Sequence, residues 1–305
     1  SVIESIDAKT IYDVPLLMLK EKLDKVVLKK LKIKSKIKAD LSLWKKFVFN
    51  LKNPKNEVNI GLIGKYVELQ DSYKSILESF IHAGSVNSVK VNVQPIHSES
   101  IDKTNVKSLI SHLDGVLVAP GFGDRGIEGK IISIEYARVN DIPFLGICLG
   151  MQMAVIEYAR NVIGLKNANS TEMDIHTKHP VISLMEDQVN VEKKGGTMRL
   201  GSWKCEISKG TLIHDIYKKN VIKERHRHRY ELNFNYVESL TKSGMVLCGK
   251  NPETDLVEII ELPNHRWFIG VQFHPEYQST VDKPHPLFKS FIKAATNKKR
   301  TNGRK

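Results

Sequence analysis

The sequence has 305 residues, 41% of them hydrophobic and 27% charged, and a formal net charge of +13. That length allows two domains, or one large α/β domain with extensions, and the composition excludes a wholly disordered or collagen-like chain. No run approaches the ~18 apolar residues of a membrane span, and no charged stretch followed by an apolar one opens the chain, so neither a transmembrane helix nor a signal peptide is expected. Residues 1–56 are Lys-rich and weakly patterned. Leu16, Leu19, Leu23, Val26, Val27 and Leu31 fall at helical spacing after Val14-Pro15. Asp40 is placed to cap a short helix carrying Leu41, Trp44, Phe47, Val48 and Leu51, which Asn53-Pro54 stops. With little core of its own, this segment reads as a linker or the fringe of a neighbouring domain. A start at Ser1 inside a helix-like pattern suggests a piece of a longer polypeptide.

From residue 57 to 296 the pattern is that of one α/β domain. An apolar run at 58–67 predicts a buried strand. Asp71 or Ser72 then caps a helix whose Tyr73, Ile76, Leu77, Phe80 and Ile81 share a face and which Gly84 ends. Strand 89–96, helix 104–113, strand 115–119 with a Gly-rich turn, helix 127–139, strand 142–147 and helix 149–160 follow. Such alternation implies right-handed βαβ units, and hence a mostly parallel sheet flanked by helices. Runs at 256–262 and 267–273 flank Pro263-Asn264-His265-Arg266 and predict an added β-hairpin near the C-terminus. A helix at 286–295 closes the domain, and residues 297–305 read as a basic, disordered tail.

Three cysteines, Cys148, Cys205 and Cys248, make no disulfide framework and suit a reducing, cytoplasmic setting. The basic excess is mostly scattered lysine without a nucleic-acid motif, so it reads as a solvated surface and no nucleic-acid or membrane partner is expected. The strongest local feature is Gly146-Ile147-Cys148-Leu149-Gly150, where an apolar strand runs into a helix with Cys at the junction. This is a nucleophile elbow with Cys in place of Ser. The helix N-terminus favours a thiolate, and the Leu149 N–H points where an oxyanion would form. A buried structural Cys is the bland alternative. Gly270-Val271-Gln272-Phe273-His274-Pro275-Glu276 supplies a base at a strand end, with Glu276 two residues on to orient it.

Other motifs are weaker. Gly121-Phe122-Gly123-Asp124-Arg125-Gly126 matches a dinucleotide fingerprint, but Asp141, at the right spacing, lies at the wrong end of the next strand. A turn offering a second oxyanion donor is the better use of these glycines. Gly129-Lys130 resembles the end of a phosphate-binding loop, but Asp124 stands where its first Gly is required. His226-Arg227-His228-Arg229-Tyr230-Glu231 offers a His-x-His without a further ligand cluster, so no metal site is expected. Arg227 and Arg229 on one strand face suit a carboxylate, against the alternative of a solvated charged strand.

Together these motifs resemble the class I, triad-type glutamine amidotransferases, and residues 58–296 resemble, more narrowly, the glutaminase domain of the CTP synthase family. The resemblance rests on Gly64-Lys65-Tyr66-Val67-Glu68-Leu69, Tyr73-Lys74-Ser75, Gly195-Gly196-Thr197-Met198-Arg199-Leu200-Gly201 and Arg225-His226-Arg227-His228-Arg229-Tyr230-Glu231. Ile11-Tyr12-Asp13-Val14-Pro15-Leu16 resembles the end of that family's synthetase domain, which assigns residues 1–56 to that end and an interdomain linker. The resemblance implies a triad of Cys148, His274 and Glu276. It implies oxyanion and substrate-backbone contacts at Gly121 and Leu149, with Gly150, Met151 and Gln152 in the same glutamine-binding turn. Glu172 would face the α-amino end and Arg229 the α-carboxylate. Ala119-Pro120-Gly121 stands where many relatives have Pro-Gly-Gly. Further implications are L-glutamine as substrate, a synthetase domain aminating UTP with ATP and Mg2+, GTP as activator, a homotetrameric whole enzyme, and no cofactor held by this chain. A glutaminase serving another synthase, or an inactive interaction module, are the competing readings; the last two segments quoted argue against the first, the intact Cys, His and Glu against the second.

Overall fold

The computed structural model describes residues 2–184 and 198–297. Gly195, Gly196, Thr197 and residues 298–305 of the basic tail lie outside the described residues. The strands are β1 (Asn56–Gly64), β2 (Val89–His97), β3 (Gly115–Val118), β4 (Phe144–Ile147), β5 (Ala168–Ser170), β6 (His179–Leu184), β7 (Arg199–Ile207), β8 (Val221–His228), β9 (Tyr230–Leu232), β10 (Val246–Lys250), β11 (Val257–Glu261) and β12 (Phe268–Val271). The helices are α1 (Val14–Lys20), α2 (Leu23–Lys30), α3 (Ser42–Lys52), α4 (Lys74–Asn87), α5 (Val106–Ile110), α6 (Ile127–Val139), α7 (Leu149–Tyr158), α8 (Leu212–Tyr217), α9 (Val237–Lys242) and α10 (Pro286–Thr296).

Nine strands form one sheet in the order β2-β1-β3-β4-β12-β11-β10-β7-β8. The run from β2 to β12 is parallel, and from β12 onward neighbours are antiparallel. β3, β4 and β12 are buried at every residue, which is why they are apolar without alternation. At the far edge β8 alternates exposed and buried residues, as a strand covered on one face should. One apolar core fills the space under α5, α6 and α7, and another lies under α4 and α10. The sheet is thus sandwiched between two helical layers. A separate sheet, β5-β6-β9, packs beside it.

The hairpin expected near the C-terminus is present, and its strands are part of the main sheet. β11 pairs antiparallel with β12, which also pairs parallel with β4. Phe268 stands opposite Phe144 and Val271 opposite Ile147, so both strands end at the same level. The helix expected to stop at Gly84 runs on to Asn87, and Ser88 takes the left-handed terminal conformation at φ 55°. It begins after a 3-10 turn at Gln70–Tyr73 rather than at an Asp71 or Ser72 cap. Near the N-terminus, Tyr12, Phe47 and Val48 are buried, with Trp44 and Ile81 packed against them. The Tyr12 hydroxyl donates to Glu78, and His82 on α4 meets Ser279 at 3.0 Å. No helix of the described residues is long and apolar enough to cross a membrane.

Candidate active site

Chain reversal in the sheet falls between β1 and β3, and α/β sheets bind ligands at the strand ends beside such a point. Here β1 leads to Lys65, β3 to the turn at 119–126, β4 to Cys148 and β12 to His274. Cys148 has φ 52° and ψ −103°, a conformation that costs a non-glycine residue strain. It is the junction between β4 and α7. A β-carbon on Gly146 would lie 2.7 Å from the Gly150 backbone, and one on Gly150 would lie 2.3 Å from the Val118 carbonyl oxygen. Both glycines are therefore needed for α7 to turn back across the sheet. The Cys148 N–H donates to Val271 O at 2.7 Å, which continues the ladder between β4 and β12 one residue into the elbow.

His274 follows the end of β12 and is 4% exposed. Its Nδ1 lies 2.8 Å from Glu276 Oε1. The Tyr277 ring stacks on it at 5.1 Å, and its N–H donates to Arg225 O on β8. Among the described residues Nε2 is buried without a hydrogen bond, and the Cys148 sulfur is close enough to act on the ring. Burial lowers an imidazole's pKa, but the Cys148 sulfur and Glu276 outweigh it and raise that of His274 to about 11. Such a pair holds the proton a leaving amine requires. Sγ is also approached by Gln272 Nε2 at 3.7 Å and by Arg227 O at 3.8 Å. Burial, first among the causes, pushes the thiols of both Cys205 and Cys248 well above the ordinary value.

The turn after β3 is held at both ends. Lys65 donates to Phe122 O, and Gly123 N–H donates to Glu172 Oε1 at 2.7 Å, so two side chains grip opposite ends of one peptide group. Pro120 has no N–H to offer. The N–H groups of Gly121 and Phe122 have no protein acceptor among the described residues and lie beside the open first turn of α7, where Leu149 N–H is likewise unpaired. A cavity of about 240 Å³ lies between them, with Tyr73, Gly121, Phe122, Cys148, Arg227 and His274 in its wall. A larger hollow of about 390 Å³ sits at the opposite end of the sheet, by Asp141 and Pro263, and no cysteine lines it. Cys148 and His274 both open onto the smaller one.

Cys148, His274, Glu276, Gly121 and Leu149 are thus brought together. Gly150, Met151 and Gln152 are buried in the first turn of α7, and Gln152 Nε2 is spent on Tyr230 O at 2.8 Å and Gln272 Oε1 at 3.2 Å. Only their backbones can face a ligand. Glu172 and Arg229 both act electrostatically on Tyr230, which puts them in one neighbourhood. Arg227 and Arg229 do not share a strand face, because β8 ends at His228 and Arg229 lies in the bend beyond it. Arg227 instead sets its guanidinium over the Phe122 ring at 5.6 Å. The inward side chains of β8 include His226 and His228, 3.0 Å apart, with Glu258 and Arg199 beside them. Burial holds both imidazoles below their ordinary pKa, most strongly His228. No group of three or more metal-ligating side chains occurs among the described residues. Sequence patterns assigned Gln272 no role and offered Lys130 only as the end of a phosphate-loop look-alike; the only cue to Gln272 is its place two residues before His274.

A strained elbow thiol, a buried imidazole tied to a carboxylate, and N–H groups facing a small cavity make an arrangement suited to cleaving an amide. The family model for glutamine amidotransferase class-I matches residues 68–294. The chain belongs to the class-I glutamine amidotransferase family. A CTP synthase of Christiangramia forsetii is 68% identical over 295 residues, which are 97% of this chain and 54% of that protein. One from Flavobacterium psychrophilum is 64% identical over 98% of this chain and 56% of its own. The Trypanosoma brucei CTPS glutaminase domain with bound acivicin superposes with a TM-score of 0.75 at 38% identity, over 81% of this chain and 97% of that one. Within its family the chain is therefore a glutaminase domain of the CTP synthase kind. It spans about half the length of the curated relatives it matches.

Proposed function

We propose that this chain hydrolyses L-glutamine through Cys148 and supplies the ammonia to a synthetase domain. The observation that carries the reading is the His274–Glu276 pair at 2.8 Å, its free Nε2 beside the elbow sulfur. Sγ attacks the side-chain amide carbon, and the carbonyl π electrons move to oxygen. The N–H groups of Leu149 and Gly121 face that oxyanion; one such donor is worth ~3–4 kcal/mol in the transition state. His274 Nε2 gives its proton to the departing nitrogen, the C–N bond breaks, and ammonia leaves a γ-glutamyl thioester. Water, losing its proton to the same Nε2, then releases glutamate and the thiolate. Glu276 keeps Nδ1 occupied throughout, so that Nε2 is the atom that exchanges protons. Glu172 receives the substrate's α-amino end and Arg229 its α-carboxylate, with a charge-assisted bond worth ~1.5–3 kcal/mol.

In the whole protein the ammonia replaces an oxygen of UTP to give CTP, with ATP and Mg2+ at the synthetase domain, GTP as activator of the glutaminase step, and a homotetramer as the assembly. The described residues do not fit ATP or Mg2+: Lys130, the phosphate-loop look-alike, is buried in α6 with Nζ on Ala119 O, and no acidic cluster has ligand spacing. No step here runs through either. Residues 1–56 are assigned to the end of the synthetase domain and the linker, and residues 57–296 to the amidotransferase domain. Cys148→Ala should abolish ammonia release from glutamine while leaving the circular dichroism spectrum unchanged. Residual release at the parental rate, or loss on replacing Cys205 or Cys248 instead, would sink the reading.

A further inference from the structure

Gly129-Lys130 lies in α6, not in a phosphate loop. A β-carbon on Gly129 would come 1.8 Å from the Ser98 carbonyl oxygen, so only glycine lets α6 pack this closely. That approach carries Lys130 wholly inside, at 0% exposure. Its Nζ lies 3.3 Å from Ala119 O and 3.7 Å from the place a β-carbon on Gly121 would take. Lys65, 7% exposed, reaches the same turn from the end of β1 and donates to Phe122 O. Two buried ammonium groups thus meet under one turn, and the hydrogen bond each makes is to a backbone carbonyl.

An ammonium buried this way is costly. Burial, then repulsion from Lys65, lowers the pKa of Lys130 to about 7, while the Cys148 sulfur works in the opposite direction. A side chain that only filled space would be apolar, as Ile127, Ile131 and Ile134 are in the same helix. The turn itself explains what a cation can do there. The peptide group between Ala119 and Pro120 has no N–H, so its carbonyl is the only polar handle on that side of Gly121. Lys65 and Glu172 already fix the peptide group between Phe122 and Gly123. Lys130 grips the remaining handle, and the Gly121 N–H lies between the two anchors.

We propose that Lys130 is a positioning residue for the amide-cleaving site: it fixes the Ala119 carbonyl so that Gly121 N–H faces the reacting carbonyl, and with Lys65 it balances the negative charge of the sulfur and the oxyanion. This rests on the glutaminase reading. The oxyanion brings a new negative charge into the site, which the paired lysines meet from beneath the turn. Both nitrogens are anchored on backbone carbonyls, so neither has to reorient as the oxyanion forms, and the growing negative charge favours the protonated form of Lys130.

Lys130→Met keeps the length of the side chain without its charge. In steady-state glutamine hydrolysis kcat should fall about tenfold or more, with KM within about twofold of the parent. The melting temperature should be equal or higher, since an uncharged side chain is buried more cheaply. A second measurement needs no variant: in parent protein labelled with 15N-lysine, the slowly exchanging Nζ signal of the buried lysine should shift when Cys148 is capped by a neutral alkyl group. If Lys130→Met does not fold, that signal decides. A parent that releases no ammonia overturns the glutaminase reading and this proposal with it. An active parent overturns the role of Lys130 alone if the variant keeps its kcat, or if the lysine signal ignores the capping.

Discussion

His274 is pulled two ways. Its burial favours a neutral ring, and its two partners favour a charged one strongly enough to raise its pKa to about 11. The sign of the linkage follows. The ring's unfolded value is ~6.5, so the extra native proton stabilises the fold fully below that pH, and the contribution is lost as pH rises through the folded value. In an NMR titration the His274 ring should therefore stay protonated between about pH 6 and 9. In Cys148→Ala the foremost raising influence is gone while burial still acts, so the ring should titrate at lower pH. A parent ring that deprotonates near pH 6.5 would contradict the ion-pair description. Gln272, fully buried with its amide nitrogen 3.7 Å from the sulfur, limits where Sγ can move.

At the scale of elements, the elbow works because α7 crosses β3 at the distance a glycine allows. Gly150→Ala would push a methyl group into the Val118 carbonyl, where 2.3 Å is available, and neither partner is a flexible side chain. The expected cost is about 1–3 kcal/mol or more, read as a lower urea midpoint; an unchanged midpoint would mean that α7 moves freely against the sheet. The elements with one dominant signal were legible in the sequence. Helix α6 has the predicted bounds, 127–139, because its inward residues repeat at helical spacing. The strands β3 and β4 were legible as short apolar runs, and the elbow as the glycines around Cys148. The antiparallel side was not. β7, β8 and β10 are partly exposed, and on β8 the inward face itself carries ionisable residues, Glu224, His226 and His228. Periodicity cannot reveal a buried side that is itself polar, because its signal is the contrast between apolar and polar. Lys130 escaped for the same reason: a lysine in a helix reads as surface, and only the packing of α6 on Ser98 turns it inward.

At the scale of the whole molecule, the N-terminal segment has a firmer seat than its composition suggested. Tyr12 packs edge-on against Phe47 with ring centres 4.9 Å apart, and Trp44 donates to Tyr12 O at 2.7 Å. Through His82 this cluster touches Ser279, which follows the turn that holds Glu276. Even so, this chain supplied with UTP, ATP, Mg2+ and ammonium should make no CTP, since cradling a triphosphate needs a Gly-rich phosphate loop, and the look-alike Gly129-Lys130 lies inside α6. CTP formed without added protein would place synthetase chemistry here. The position of β12 bears on how the chain is made. It is the last of the described strands, yet it lies mid-sheet, between β4 and β11. At the ~5–20 residues per second of translation, Cys148 leaves the ribosome on the order of ten seconds ahead of His274. Until β12 inserts, the thiol borders a gap in the sheet and has no base. Nascent or prematurely terminated chains thus carry Cys148 without His274 beside it, and on the proposed reading only a finished sheet can begin to hydrolyse glutamine.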